Sequence, residues 1–260
     1  MKKRGAELVS RMTYREAGAV LREEPGMPVS AQSVHGWVQL LGRRVEEQEL
    51  AAPGTPLPVP DVVVGEWDDT PLRCQEAGER NFSLKLGIGY SQKQRQGRKR
   101  WKLTEKVVYG GVEGPEEFAE RFYARMEESF QVVEAAHVVV KGDGAGWIGQ
   151  GATQVCARHV FQLDHWHLLD RSEKFAGHLP RVWKRLRPQV SPPTHDLLTH
   201  GTGAMEKNIE TVIGRRFKRS GKRWTRSGSH HLLKLHLWIT RCGTSWFEAL
   251  NAHPAQLTNA

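Results

Sequence analysis

The sequence predicts a mixed α/β fold with a small helical module in front of it. Three observations predict this. Apolar runs at Val62-Val63-Val64, Val138-Val139-Val140 and Val160-Phe161-Gln162-Leu163 read as strands, and each runs on into carboxylates. Between the first two runs, Phe118, Phe122, Met126 and Phe130 recur at i+4 spacing, the core stripe of an amphipathic helix. The stretch AAPGTPLPVP at 51–60 suits neither helix nor central strand, so it reads as a linker between a helical start and the strands.

Residues 1–50 read as helical. Thr13 is placed to cap a helix whose apolar side is Ala17, Val20 and Leu21. EPGMP at 24–28 breaks it, and Ser30 caps a second helix through Val34, Trp37 and Val38. Helix, short turn and capped helix is the helix-turn-helix pattern used in the major groove, with Gln32, Ser33 and His35 as the readers; a hairpin that merely packs on the main domain is the alternative.

Past the linker, Asp61 to Asp69 is an apolar strand delivering carboxylates. Phe82 to Ile88 alternates as a half-buried strand should, and Trp101 to Tyr109 reads as its hairpin partner. The tip between them carries Lys93, Arg95, Arg98, Lys99 and Arg100, a cluster that suits phosphate tracking as well as plain solvation. A helix over 116–131 follows, then strands ending at Asp143 and Asp164. Residues 170–200 read as helical and irregular, and a helix begins near Gly203 with Ile209, Val212 and Ile213 on its apolar side. It runs into Arg215, Arg216, Lys218, Arg219, Lys222 and Arg223 around Phe217 and Trp224, which fits a DNA backbone groove.

With 260 residues, 38% of them hydrophobic and 26% charged, the chain can fill one sizeable α/β domain and a small appendage. Its net charge of +9 suits a polyanionic partner more than a small acidic substrate. The three cysteines are far apart and odd in number, which argues for a reducing compartment, hence the cytoplasm. Cys156-x-x-His159 with His165 and His167 starts a zinc pattern, but no second paired motif completes it. No apolar run approaches a membrane span, and MKKRGAELVSR has no apolar segment after it to make a leader.

Ligands and reactive groups gather at the carboxyl ends of strands in open α/β sheets. Asp143, Asp164 and His167 stand at two such ends and mark a candidate active site. A turn-forming Asp-Gly and a packed histidine remain the plainer reading of those residues alone.

GDGAGWI followed by LDHWH resembles the transposases of the ISLre insertion-sequence type, which carry a GDGA-x-WI strand end and then an LD-x-x-H motif. The likeness extends from Val62 to Leu235. The first strand of that family ends in an acidic Asp-Gly, matched by Asp68-Asp69, with Asp69 where a glycine is expected; Asp68 is taken as the acid. A Gly-Ser/Thr-x-x-Glu-like start matches Glu206, and the RR-x-K-x-x-G segment with its Trp matches 215–224. The resemblance implies an RNase H-like domain over 61–240, followed by a tail at 241–260. It further implies a DDE triad of Asp68, Asp143 and Glu206 holding two Mg²⁺ (or Mn²⁺) ions, with Asp164 and His167 in support. DNA, as insertion-sequence ends and target, would be the partner of a homo-oligomer that cuts and transfers strands. Family members are typically longer, so this chain reads as a truncated copy. An RNase H-like nuclease without strand transfer, or a non-catalytic DNA-binding remnant, are the alternatives.

Overall fold

The computed structural model describes residues 1–23, 28–51, 58–97, 101–163, 203–218 and 222–252. Helices α1 (Lys2–Val9), α2 (Tyr14–Glu23) and α3 (Ala31–Ala51) come first. Strands β1 (Val62–Arg73), β2 (Asn81–Tyr90), β3 (Lys93–Arg95), β4 (Trp101–Leu103) and β5 (Lys106–Gly111) follow. Then come α4 (Pro115–Phe130), β6 (His137–Gly142), α5 (Gly146–Val155) and β7 (Val160–Leu163). The later helices are α6 (Gly203–Asn208), a π-helical segment (Ile209–Lys218), α7 (Arg226–Cys242) and α8 (Trp246–Asn251).

The expected mixed sheet is present. Five strands lie in the order β5-β2-β1-β6-β7. β2 runs antiparallel to both neighbours, while β1, β6 and β7 are parallel. Helices cover both faces, and the helical module precedes the sheet. This is the RNase H-like arrangement of strands and helices.

Two apolar clusters flank the sheet. Side chains on a strand alternate between faces, so Val63, Trp67, Val138 and Val140 pack on Phe118, Phe122, Met126 and Phe130 of α4 and on Ile148 of α5. Val62, Val64, Leu84, Leu86, Ile88 and Val139 pack on the other side with α1–α3, the π-helical segment and α7. β2 is thus buried on both faces from Leu84 to Tyr90, not half-buried as its alternation suggested. Its α4 face carries Gly87 and Gly89 because the helix lies so close: added Cβ atoms would sit 2.7 Å from the Phe122 ring and from Met126 Cγ.

The caps expected for the first helices are made. Thr13 Oγ1 accepts from the Glu16 N–H at 3.2 Å while the Glu16 carboxylate accepts from the Thr13 N–H at 2.7 Å, a capping box. Ser30 Oγ accepts from the Ser33 N–H at 3.0 Å. The core runs across the Pro-rich stretch: Val34, Val38, Leu41 and Val45 of α3 are fully buried in the cluster that includes the sheet. Arg121 of α4 bonds Glu46 at 2.8 Å, and Lys234 of α7 lies 3.3 Å from Glu49.

Three elements differ from expectation. The stretch from Trp101 to Tyr109 is two strands. Lys106–Gly111 pairs with β2, whereas Trp101–Leu103 pairs with Lys93–Arg95 in a separate ribbon. The break comes where Ser91 Oγ bonds the Glu105 carboxylate at 2.7 Å just past the β2 ladder. The helix begun at Gly203 turns π-helical from Ile209, which buries Ile213, Arg216 and Phe217 together. Residues 246–251, expected in a tail, form a helix whose Trp246 is 1% exposed and is bonded to Glu7 at 3.2 Å. Among the described residues, no helix is long and apolar enough to cross a membrane.

Candidate active site

β1 and β6 are parallel neighbours, and their pairing ends with Glu66 beside Lys141. Carried two residues further, that register sets Asp68 level with Asp143. The backbone bears this out, since a Cβ on Gly142 would lie 3.5 Å from the Trp67 carbonyl oxygen. Both aspartates are half-buried, Asp68 in the middle of β1 just beyond its pairing with β6, and Asp143 just past the carboxyl end of β6. Asp68 Oδ1 accepts from the Asp69 N–H at 2.7 Å, and Asp143 Oδ1 accepts from the Ala145 N–H at 2.9 Å. Gly144, at φ +85°, makes the turn that permits the second bond and starts α5.

Alternation separates Asp68 from Asp69. Asp68 follows Val62, Val64 and Glu66 on the face covered by the N- and C-terminal helices. Asp69 follows Val63 and Trp67 on the α4 face, where Lys85 is its partner on β2. Lys85 lies 5.7 Å from the Trp147 ring; burial pushes its amine down, and Asp69 and Glu113 work against that.

Glu206 is exposed in the first turn of α6. The residue before it, Met205, is 2% exposed, and its backbone N–H donates to Glu66 Oε2 at 3.0 Å. The start of α6 is thereby docked on β1, two residues along the strand from Asp68. Among the described residues, no three His, Cys, Asp or Glu side chains converge closely enough to hold a metal ion. The donor type nevertheless suits Mg²⁺, because Asp68 and Asp143 offer hard carboxylate oxygens on adjacent strands. Asp164 and His167 lie outside the described residues.

Sequence reading passed over Glu66 and Lys141. Each is 1% exposed, and they are paired across the two strands that carry Asp68 and Asp143. An acid and a base inside two Val-rich runs were the available signal.

The basic segment divides. Arg215 and Lys218 are exposed, with Arg215 3.9 Å from Glu210. Arg223 is exposed too, though its Nε donates to the Cys74 carbonyl at 3.0 Å. Lys222 is half-buried and donates to the Arg216 carbonyl at 3.0 Å. Arg216 corrects the expectation of a DNA contact at that position. It is 3% exposed, its Nε donates to the Val9 carbonyl at 2.6 Å, and its guanidinium lies 5.1 Å from the Trp224 ring. Phe217 and Trp224 are likewise core residues, 5.1 Å apart. Arg98, Lys99, Arg100 and Arg219 lie outside the described residues. Of the three readers expected on α3, Gln32 is exposed; Ser33 is drawn into the Ser30 cap, and His35 sits edge-on to the Tyr14 ring at 5.1 Å.

No curated protein matches the chain. The model of an uncharacterised protein family (UPF0236) matches residues 74–198, a span that holds Asp143, Asp164 and His167 and lies between Asp68 and Glu206.

Proposed function

We propose that this chain is a DDE-type transposase, cutting and joining DNA strands at insertion-sequence ends with Mg²⁺ or Mn²⁺. The observation that carries the reading is the level placement of Asp68 on β1 with Asp143 just past the carboxyl end of its parallel neighbour β6, the end where α/β proteins gather reactive groups. The net charge of +9 and the exposed Arg215, Lys218 and Arg223 supply the attraction that a polyanion needs.

In this reading Asp68, Asp143 and Glu206 would hold the ions. Two divalent ions held there would supply charge relief at the leaving oxygen and activation of the attacking hydroxyl. The protein's own share is orientation. The turn at Gly144 and the Ala145 N–H fix the Asp143 carboxylate, and the exposed cations carry the DNA backbone to it. Asp164 and His167, outside the described residues, would brace the site or contact the scissile strand. DNA ends and target are the partners, the active form is a homo-oligomer, and the work is done in the cytoplasm.

The test is to incubate the purified chain with Mg²⁺ or Mn²⁺ and DNA carrying the sequence that flanks its gene. Cleavage with end joining supports a transposase, and cleavage without joining a nuclease. Binding without cleavage would leave only a DNA-binding protein.

A further inference from the structure

The proposed reactive acids stand on a second charged layer one step back along the same two strands. Glu66 precedes Asp68 by two residues on β1, so the two share a face, and Lys141 precedes Asp143 by two where β6 ends. Glu66 and Lys141 are register partners, each 1% exposed, among Val64, Val139 and Ile88. A charge in such surroundings is costly unless it is balanced and hydrogen-bonded.

The hydrogen bonds of Glu66 reach outside the sheet. Its Oε1 accepts from the Tyr90 hydroxyl at 2.7 Å. Burial, and then the charge of Glu66, push the Tyr90 phenol far up, so it remains a donor. Its Oε2 accepts from the Met205 N–H at 3.0 Å, across 139 residues of sequence. Met205 is the third residue of α6. Its amide is one of those that a helix's first turn leaves without an intrahelical acceptor, and a carboxylate is favoured at that end. The bond fastens the start of α6 to the middle of β1, and the next residue is Glu206.

We propose that Glu66 is a positioning residue: oriented by Tyr90, its carboxylate holds the Met205 amide and so sets Glu206 in relation to Asp68 and Asp143. This rests on the reading of those three as the reactive acids. Glu66 touches no substrate in this scheme, and its influence passes through one backbone amide.

Substitutions separate geometry from charge. In Glu66→Gln the side-chain oxygen still accepts from Met205 while the Tyr90 hydroxyl turns to accept from the new NH₂, so the bonds survive and the charge is lost. Glu66→Ala removes bonds and charge together. Tyr90→Phe leaves the Met205 bond but frees the carboxylate to turn.

The experiment uses the full chain and two readouts. Hydrogen exchange follows the amides of 203–208, and a Mn²⁺ titration follows cleavage of the flanking DNA. In Glu66→Ala, exchange at Met205 rises by about tenfold or more, the loss of a bond to a charged acceptor, while the amides of β2 keep their protection. The Mn²⁺ needed for half-maximal cleavage rises by about 10- to 100-fold in Glu66→Ala and less in Glu66→Gln, with DNA affinity unchanged. Tyr90→Phe moves both readouts the same way by less, and it carries the comparison if Glu66→Ala does not fold. Wild-type protection at Met205, or an unchanged Mn²⁺ requirement, overturns the proposal. If the wild-type chain does not cleave, the transposase reading fails by itself. The exchange comparison then decides the anchoring, with faster exchange upholding it and unchanged exchange refuting it.

Discussion

Gly42 of α3 crosses His231 of α7 so closely that a Cβ on Gly42 would lie 2.6 Å from the His231 Cβ and meet its carbonyl oxygen as well. Gln39, on the same side of α3, has its Oε1 2.7 Å from His231 Nδ1. The crossing joins the first helices of the chain to α7, one of the helices that cover the sheet. Gly42→Ala drives two backbones apart and is expected to cost about 2–3 kcal/mol, read as a lower urea midpoint with unchanged slope. A variant as stable as the wild type would mean that the two helices are not packed in this way.

The basic segment makes a prediction that splits adjacent arginines. Replacing Arg215, Lys218 and Arg223 with Ala is expected to reduce the slope of log affinity against log salt by about 0.9 for each phosphate that is no longer neutralised. Arg216→Met is expected to leave that slope unchanged, because the guanidinium is buried against Tyr14 and Trp224. Its effect belongs to stability, where exchanging a buried charge for an apolar side chain of similar size is often neutral or favourable. Fluorescence titrations across a salt series decide both. A slope reduced by Arg216→Met would place that side chain at the DNA.

The contrast between Arg215 and Arg216 marks how far the sequence could be read. β1, β6 and α4 were legible because one run or one stripe carries each: Val62–Val64, Val138–Val140, and the Phe and Met residues four apart. The caps at Thr13 and Ser30 were legible because capping is local. Arg216 was not, because its burial depends on the turn of a π-helical segment and on Val9, 207 residues away. Glu66 could be read as a strand residue, but nothing local points to Met205. Trp101–Tyr109 read as one strand because its break is made by Ser91 and Glu105 from opposite arms of the hairpin. At the site, strand alternation separates Asp68 from Asp69, and the register that levels Asp68 with Asp143 exists only once β1 and β6 are paired.

The tyrosines give a pH dependence. All four are held above the ordinary phenol value of 10.0, each chiefly by burial; Tyr14 and Tyr123 are pushed up to about 12. Such a phenol keeps its proton in the folded chain at a pH where the unfolded chain has lost it. The stability it contributes is complete below pH 10.0 and is lost as pH rises through the folded value, about 12 for Tyr14. Ultraviolet absorbance should therefore show almost no tyrosinate at pH 10.0 while the fold is intact, and unfolding should set in above it. Tyrosinate formed near pH 10.0 in the folded chain would contradict these burials.

Glu206 and Glu210 are both exposed, one turn apart. Glu206 follows the residue fastened to Glu66, whereas Glu210 lies 3.9 Å from Arg215. Glu206→Gln is expected to remove cleavage with DNA affinity kept, and Glu210→Gln to be tolerated. Gel assays of both variants check this. A dead Glu210→Gln beside an active Glu206→Gln would assign the role to the other glutamate.

Asp143→Asn tests the central claim most directly. Asp143 stands level with Asp68 across the parallel pair, and its exchange for Asn keeps the shape and the oxygen that accepts from the Ala145 N–H. The measurement is Mn²⁺-dependent cleavage of flanking DNA by wild type and Asp143→Asn, with thermal melting alongside. A loss of about a hundredfold or more in cleavage, with melting temperature and DNA binding unchanged or slightly raised, is the predicted result. Full cleavage by Asp143→Asn would contradict the acidic pair as the centre of a phosphodiester-cutting site.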